Sequence, residues 1–156
     1  MKLEHTKYLQ AALKEAHRAF VKNEVPIGAI VVDGTGQVVG RGSNLTDKTG
    51  DVTRHAELTA IRQAASKIGD WRLDGAKLYV TLEPCLMCLG AALLARVQEI
   101  HFILPDPTFG SLRTVLGKTT RKGAYKHLKF VHHPELEWEV AGLMKSFFDK
   151  LRQKRK

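Results

Sequence analysis

The chain has 156 residues and a mass of 17.4 kDa, one domain's worth of sequence, since single cores commonly run to about 100–200 residues. Hydrophobic residues make up 44% and charged residues 26%. These proportions exclude a disordered polyelectrolyte or a fibrous repeat, and no window approaches the roughly 18 apolar residues of a membrane span. The net charge of +9 is lopsided: residues 1–106 carry 13 Lys/Arg against 12 Asp/Glu, and residues 107–156 carry 12 against 4.

Residues 4–21 place Leu9, Ala12, Leu13, Ala16, Ala19 and Phe20 on one helical face, and Asn23 with Pro26 ends the helix. Residues 27–32 form a short apolar strand, Asp33-Gly34-Thr35-Gly36 a turn, and residues 37–41 the second strand of a hairpin. Residues 43–53 are polar and read as a loop. A helix follows over 55–68, with Leu58, Ile61, Ala64 and Ala65 inward and Gly69 closing it. Residues 76–82 form a strand bounded by Asp74-Gly75 and Pro84. Residues 85–97, rich in Ala, Leu and Met, read as a buried helix with Pro84 near its start. Residues 99–104 form another strand, and residues 106–131 show no clear period. A last helix over 136–152 carries Val140, Leu143, Met144, Phe147 and Leu151 on one face. This alternation predicts an α/β fold of three layers, α/β/α, with a central mixed sheet of about five strands and helices on both faces.

The start, Met1-Lys2-Leu3-Glu4-His5, has no apolar stretch behind its basic residue, so no secretory leader is expected. Cys85 and Cys88 are too few and too close for a disulfide scaffold. A soluble, intracellular and hence cytoplasmic protein is the expectation. No acid lies between Pro107 and Pro134, where Arg113, Lys118, Arg121, Lys122, Lys126 and Lys129 cluster. Such cations suit a polyanion, because binding releases the counterions held by phosphates. A solvated surface with a basic tail accounts for the same charge.

The chemistry lies in His55-Ala56-Glu57 and, about thirty residues on, Pro84-Cys85-Leu86-Met87-Cys88. In a reducing compartment a Cys-x-x-Cys pair binds metal or is redox-active. A redox pair has no use for a His-x-Glu partner, and a four-ligand structural site needs more cysteines than the chain has. Two thiolates and one imidazole make three ligands, the catalytic zinc pattern with a position open for water. Cys85 and Cys88 fall on one side of a first helical turn, whose amide dipoles favour thiolate. Glu57 then serves as a proton carrier, since ligation by its carboxylate would close the water's position.

Together the two motifs form the H-x-E…P-C-x-x-C signature by which zinc nucleobase deaminases are recognised. The chain resembles the bacterial tRNA-specific adenosine deaminases, in the cytidine and deoxycytidylate deaminase superfamily. The words that carry the resemblance run from Asn23-Glu24-Val25-Pro26-Ile27-Gly28-Ala29 through Gly50-Asp51-Val52-Thr53-Arg54-His55-Ala56-Glu57 and Trp71-Arg72-Leu73. They continue in Leu78-Tyr79-Val80-Thr81-Leu82-Glu83-Pro84-Cys85 and Phe147-Phe148. The resemblance implies a cytidine-deaminase-like fold in a single domain over 1–156, with a basic helix and tail from about residue 136. It implies one Zn²⁺ on His55, Cys85 and Cys88, Glu57 as proton shuttle, a tRNA anticodon stem-loop as partner, and a homodimer with residues 85–97 near its interface. Asn44 matches an asparagine that hydrogen-bonds the purine. Asp106 matches an aspartate near the substrate, or is a turn former before Pro107. Phe147 matches an aromatic near the anticodon loop, though its helix face points inward. The Ala56 amide, at a helix start, is placed to orient water or the attacked ring.

Two departures stand out: Ser43 replaces a tryptophan usual in the family, and residues 106–113 replace a run of small residues. They leave a second reading open, a deaminase of a free base or nucleoside of the guanine or cytosine type. A third, a zinc-stabilised RNA-binding module without activity, has no role for Glu57. Elsewhere, His132-His133 read as exposed turn histidines in preference to a metal pair, Trp71 and Trp138 as packing residues in preference to base-stackers, and Glu83 as a strand-end carboxylate or a backbone acceptor beside the zinc motif.

Overall fold

The computed structural model describes residues 3–112 and 128–154. Five strands form one sheet: β1 (Gly28–Val32), β2 (Val38–Ser43), β3 (Lys77–Leu82), β4 (Glu99–Leu104) and β5 (Lys129–His132), in the order β2-β1-β3-β4-β5. β1 pairs antiparallel with β2 and β3, while β3–β4 and β4–β5 are parallel. The sheet is mixed, as expected. Its helices are α1 (Leu3–Val21), a one-turn α2 (Thr46–Thr49), α3 (Ala56–Ile68), α4 (Leu86–Leu94) and α5 (Glu137–Lys154). Most of the cation cluster (Arg113, Lys118, Arg121, Lys122 and Lys126), with Arg155 and Lys156, lies outside the described residues.

Strand alternation splits the core into two layers. Ala29, Val31, Leu78, Val80, Ile100 and Phe102 face α3 and α4. Ile30, Val32, Tyr79 and Ile103 face α1 and α5, where Tyr8, Leu9, Leu13 and Val140 meet them. β1 is buried along its whole length because both of its faces are covered.

The helices lie close to the sheet. A Cβ on Gly28 would run into the α1 backbone at Ala12 and Ala16, and one on Gly40 or Gly42 into α3 at Ala60 or Ala56. This close approach shifts the buried stripe of α3 from the expected Leu58, Ile61 and Ala65 to Ala56, Glu57, Ala60 and Ala64. Small residues let the backbones touch, and the larger ones flank the contact.

Some boundaries differ from expectation. β2 runs two residues further, to Ser43, whose hydroxyl donates to the buried Glu15 carboxylate at 3.0 Å. The helix expected over 85–97 ends at Leu94, because Arg96 takes a left-handed φ of 62°. A 3₁₀ turn (Pro134–Leu136) precedes α5, so that helix begins at Glu137. Trp71 and Trp138 are not packing residues: they are 61% and 73% exposed, and the Arg72 and Arg96 guanidinium groups flank Trp71.

The histidines after β5 also differ. His132 pairs with Glu137, but His133 is buried and 2.9 Å from His101. His101 stacks on both Tyr79 and His5, and its other nitrogen meets Glu99 at 3.0 Å. Burial pushes His101 down to about 4, against the opposing pull of Glu99. Below the unfolded pKa near 6.5, the unfolded chain takes up a proton that the folded one refuses. Unfolding free energy should therefore decline as pH falls from about 6.5 to about 4, and level off below that. Denaturant titrations at neutral and mildly acid pH check this. A His101→Gln variant should show a smaller decline, and an equal decline in both proteins would clear His101 of the effect.

Candidate metal centre and active site

β2 runs in the same direction as β3 and β4, since both β2 and β3 are antiparallel to β1. The carboxyl ends of all three therefore open on one edge of the sheet, where α/β folds place their ligands. Asn44 follows β2, Cys85 follows β3, and the 106–112 loop follows β4.

His55 occupies the N-cap of α3 and Cys85 the N-cap of α4, yet neither side chain makes a capping hydrogen bond. They turn toward each other instead. His55 Nδ1 lies 3.7 Å from Cys85 Sγ and 3.4 Å from Cys88 Sγ, and one ligand atom from each residue falls within 4.8 Å of the others. Ligands on a tetrahedral zinc with ordinary Zn–S and Zn–N bonds stand roughly 3.6–3.8 Å apart, so the donor set and its spacing fit such an ion. Among the described residues this is the one His/Cys/Asp/Glu group so arranged.

The protonation of the thiols is uneven. A hydrogen bond from Cys88, helped by His55, pulls the Cys85 thiol down to about 4. Cys88 shares that bond and lies deeper, so its thiol is pushed up. The bond to Cys85 raises His55. Cys85 is thus a ready thiolate, and Cys88 gives up its proton when a cation replaces the hydrogen bond. Glu57, in the first turn of α3 and 3% exposed, is raised by burial, and its Oε2 has no hydrogen-bond partner among the described residues. An unpartnered buried carboxylate oxygen is costly to maintain. Its place beside the thiols marks it for work on a proton rather than for structure.

The chain matches the MafB19-like deaminase family over residues 3–152. It is 41% identical to a tRNA-specific adenosine deaminase of Bacillus subtilis, over 96% of this chain and 91% of that one. A second tRNA-specific adenosine deaminase, from Aquifex aeolicus, is 39% identical over 93% of this chain and 94% of its own. This chain belongs to the tRNA-specific adenosine deaminase family. A solved structure from work on A-to-I editing by tRNA:A34 deaminases at the wobble position of transfer RNA superposes with a TM-score of 0.79. It is 37% identical over 88% of this chain and 99% of that one. The cytidine-deaminase-like fold expected of the deaminase is therefore present.

The remaining expected site residues of this deaminase fall in different surroundings. Asn44 is buried at the end of β2, its N–H bonded to the Ile27 carbonyl and its Oδ1 facing the Thr46 hydroxyl at 3.4 Å. Ala56 is buried with its carbonyl against Gly42. Asp106 forms a turn: its Oδ1 accepts the Thr108 and Phe109 N–H groups at 2.8 and 3.0 Å. Phe147 is buried, edge-on to Phe20 and Phe148 at the seam of α1 and α5, and Phe148 is the exposed member of the pair.

One structural residue of the site has no role readable from the sequence beyond its place in the Asn23–Ala29 stretch. Glu24 reads as a carboxylate just beyond a helix end, yet it is fully buried and accepts the Asp47 and Lys48 N–H groups, which holds α2 beside Asn44.

Proposed function

We propose that this deaminase converts adenosine to inosine at the anticodon wobble position of a tRNA, releasing ammonia. The observation that carries the reading is Glu57, a buried carboxylate with a free oxygen beside a His/Cys/Cys group, in a chain 41% identical to a tRNA-specific adenosine deaminase. His55, Cys85 and Cys88 hold zinc, which when bound supplies Lewis acidity and lowers the pKa of a water toward ~7. Glu57 takes a proton from the attacking water and passes it to the adenine ring nitrogen. It then takes the second proton from the new C6 hydroxyl and passes it to the amino group, which leaves as ammonia while the C6 carbonyl forms. Asn44, anchored through Ile27, hydrogen-bonds the purine. The Ala56 amide at the start of α3 helps orient the reacting groups.

The target base must leave its stack to reach the edge of the sheet, which costs least in a single-stranded loop. The charge of residues 107–156 supports a grip on the RNA backbone, with Phe148 exposed on α5 beside it. We assign the whole chain to one deaminase unit acting in the cytoplasm as a homodimer, in which the exposed Leu86 and Leu94 of α4 are covered. No helix among the described residues is long and apolar enough to cross a membrane. A monomeric mass in light scattering would count against the dimer.

The test is inosine formation in an anticodon stem-loop, run beside free guanine and cytidine. Stem-loop binding should weaken steeply with salt, each neutralised phosphate adding a log–log slope of roughly 0.7–0.9. Replacing Lys150, Arg152, Lys154, Arg155 and Lys156 with Gln should flatten that slope and raise KM while leaving kcat unchanged. Turnover of guanine or cytidine with the stem-loop untouched would overturn the RNA assignment and leave only the deamination chemistry.

A further inference from the structure

Glu83 directly follows β3, two residues before Cys85, and is buried although it is a carboxylate. A strand-end glutamate normally turns to water. Here the side chain reaches across to the segment that leaves β4, and each oxygen accepts a different backbone N–H. Oε2 takes that of Asp106 at 3.1 Å and Oε1 that of Leu112 at 2.9 Å. One carboxylate therefore closes both ends of the 106–112 loop.

The loop is shaped to admit it. A Cβ on Gly110 would stand 2.6 Å from the Glu83 carboxyl carbon and collide with the Asp106 carbonyl. Inside the loop, Asp106 accepts the Thr108 and Phe109 amides through its side chain and the Gly110 amide through its carbonyl. The closed loop then docks on the metal-binding turn. Gly110 forms a bridge to Cys85, and the Ser111 N–H donates to the Pro84 carbonyl at 3.0 Å. Its outer residues, Pro107, Thr108 and the 72% exposed Phe109, stand beside that turn.

From this arrangement we infer that Glu83 is a positioning residue for the deamination reaction, holding the 106–112 loop as a fixed wall beside the His55/Cys85/Cys88 group. The inference rests on the deaminase reading above. A base entering the site meets this wall, so a loop freed at either end displaces the base from the attacking water. Misplacement of about 1 Å can cost on the order of 10²-fold in rate. Glu83 touches neither the metal ligands' donor atoms nor Glu57 among its hydrogen bonds, so its loss should spare metal binding.

Two variants separate this from a general stabilising role. Glu83→Gln keeps the side chain's shape but replaces one acceptor oxygen with an amide donor that opposes a backbone N–H. Gly110→Ala leaves the carboxylate intact and pushes the loop off it. Hydrogen exchange, read on the full protein loaded with zinc, should show the Asp106 and Leu112 amides losing protection in both variants, whether or not any substrate is turned over. On the stem-loop, each variant should keep wild-type zinc content and lose about 10–100-fold in kcat/KM, chiefly through kcat, as misplacement of the base at the attacking water requires. The double variant should lose no more than the worse single one, because both act on one loop. Glu83→Asp, with its shorter reach, should restore little.

Unchanged protection of the two amides in Glu83→Gln would overturn the clamp itself. Lost protection with wild-type kcat/KM would overturn its catalytic role. A wild-type protein inactive on the stem-loop would instead sink the deaminase reading while the exchange result still stood.

Discussion

A Glu57→Ala variant is expected to keep its fold and its metal while turnover falls by about 10²–10⁴-fold or more, since one group serves several proton transfers. The stability half of this expectation comes from burial. The carboxyl is 3% exposed, burial raises its pKa, and its Oε2 is unpartnered. Burying an ionisable carboxyl costs folding free energy, so its removal should leave the melting temperature close to that of the wild type. Alanine also suits the place, because Ala56, Ala60 and Ala64 line the same buried face of α3. The activity half comes from chemistry: hydrolytic deamination moves protons from water to the ring nitrogen and to the departing amino group, and Glu57 is a buried carboxyl beside the Cys88 thiol. Thermal melting, metal content and single-turnover inosine formation check the two halves separately. Turnover close to wild type would mean that another group moves the proton.

Replacing Cys85 and Cys88 together with serine should abolish stoichiometric zinc and with it all turnover. A serine hydroxyl is far harder to deprotonate than a thiol, and the variant retains a single imidazole from the group. The two thiols differ in what they contribute. Cys85 is already drawn down to about 4 by its hydrogen bonds, so it offers a thiolate at neutral pH, whereas Cys88 must release a proton as metal binds. Zinc uptake by the wild type should therefore release protons, measurable as a buffer-dependent heat in calorimetry. The double variant should release none. Full zinc occupancy retained by that variant would remove the assignment of the ligands.

Much of the fold is legible in the sequence because its signals are local. The α1 face from Leu9 to Ala19 and the strands at 28–32 and 99–104 follow from periodicity. The bias of His55 and Cys85 toward helix starts follows from Pro84 and from the helical patterns behind them. The spacing of Cys85 and Cys88 is set within one turn, so their shared side needs no tertiary information. The chemistry of the motif points to Glu57 as the expected proton carrier, and the resemblance adds the expected role of Asn44.

What escaped the sequence depends on partners from distant elements. The expected exposure of His132 and His133 holds for one and fails for the other, because His101 on β4 supplies a buried partner only to His133. Trp71 and Trp138 look like core residues, yet both are largely exposed among the described residues. The inward face of α3 shifts to alanines because Gly40 and Gly42 on β2 draw the helix against the sheet.

The sequence by itself therefore determined the layered α/β class, the helix and strand faces, and the set of residues able to hold a metal, since each is a pattern within one element. The motifs predict that His55 and the cysteines meet; the tertiary structure decided how, with β2 and β3 running the same way and their carboxyl ends together. It also decided what the buried carboxylates do. Glu24, Glu57 and Glu83 look alike as letters. Burial leaves each with only the partners that other elements bring: two amides of α2 for Glu24, the ends of the 106–112 loop for Glu83, and an unfilled place beside the thiols for Glu57. A carboxylate out of water takes its role from what surrounds it, and no pattern along the chain specifies those surroundings.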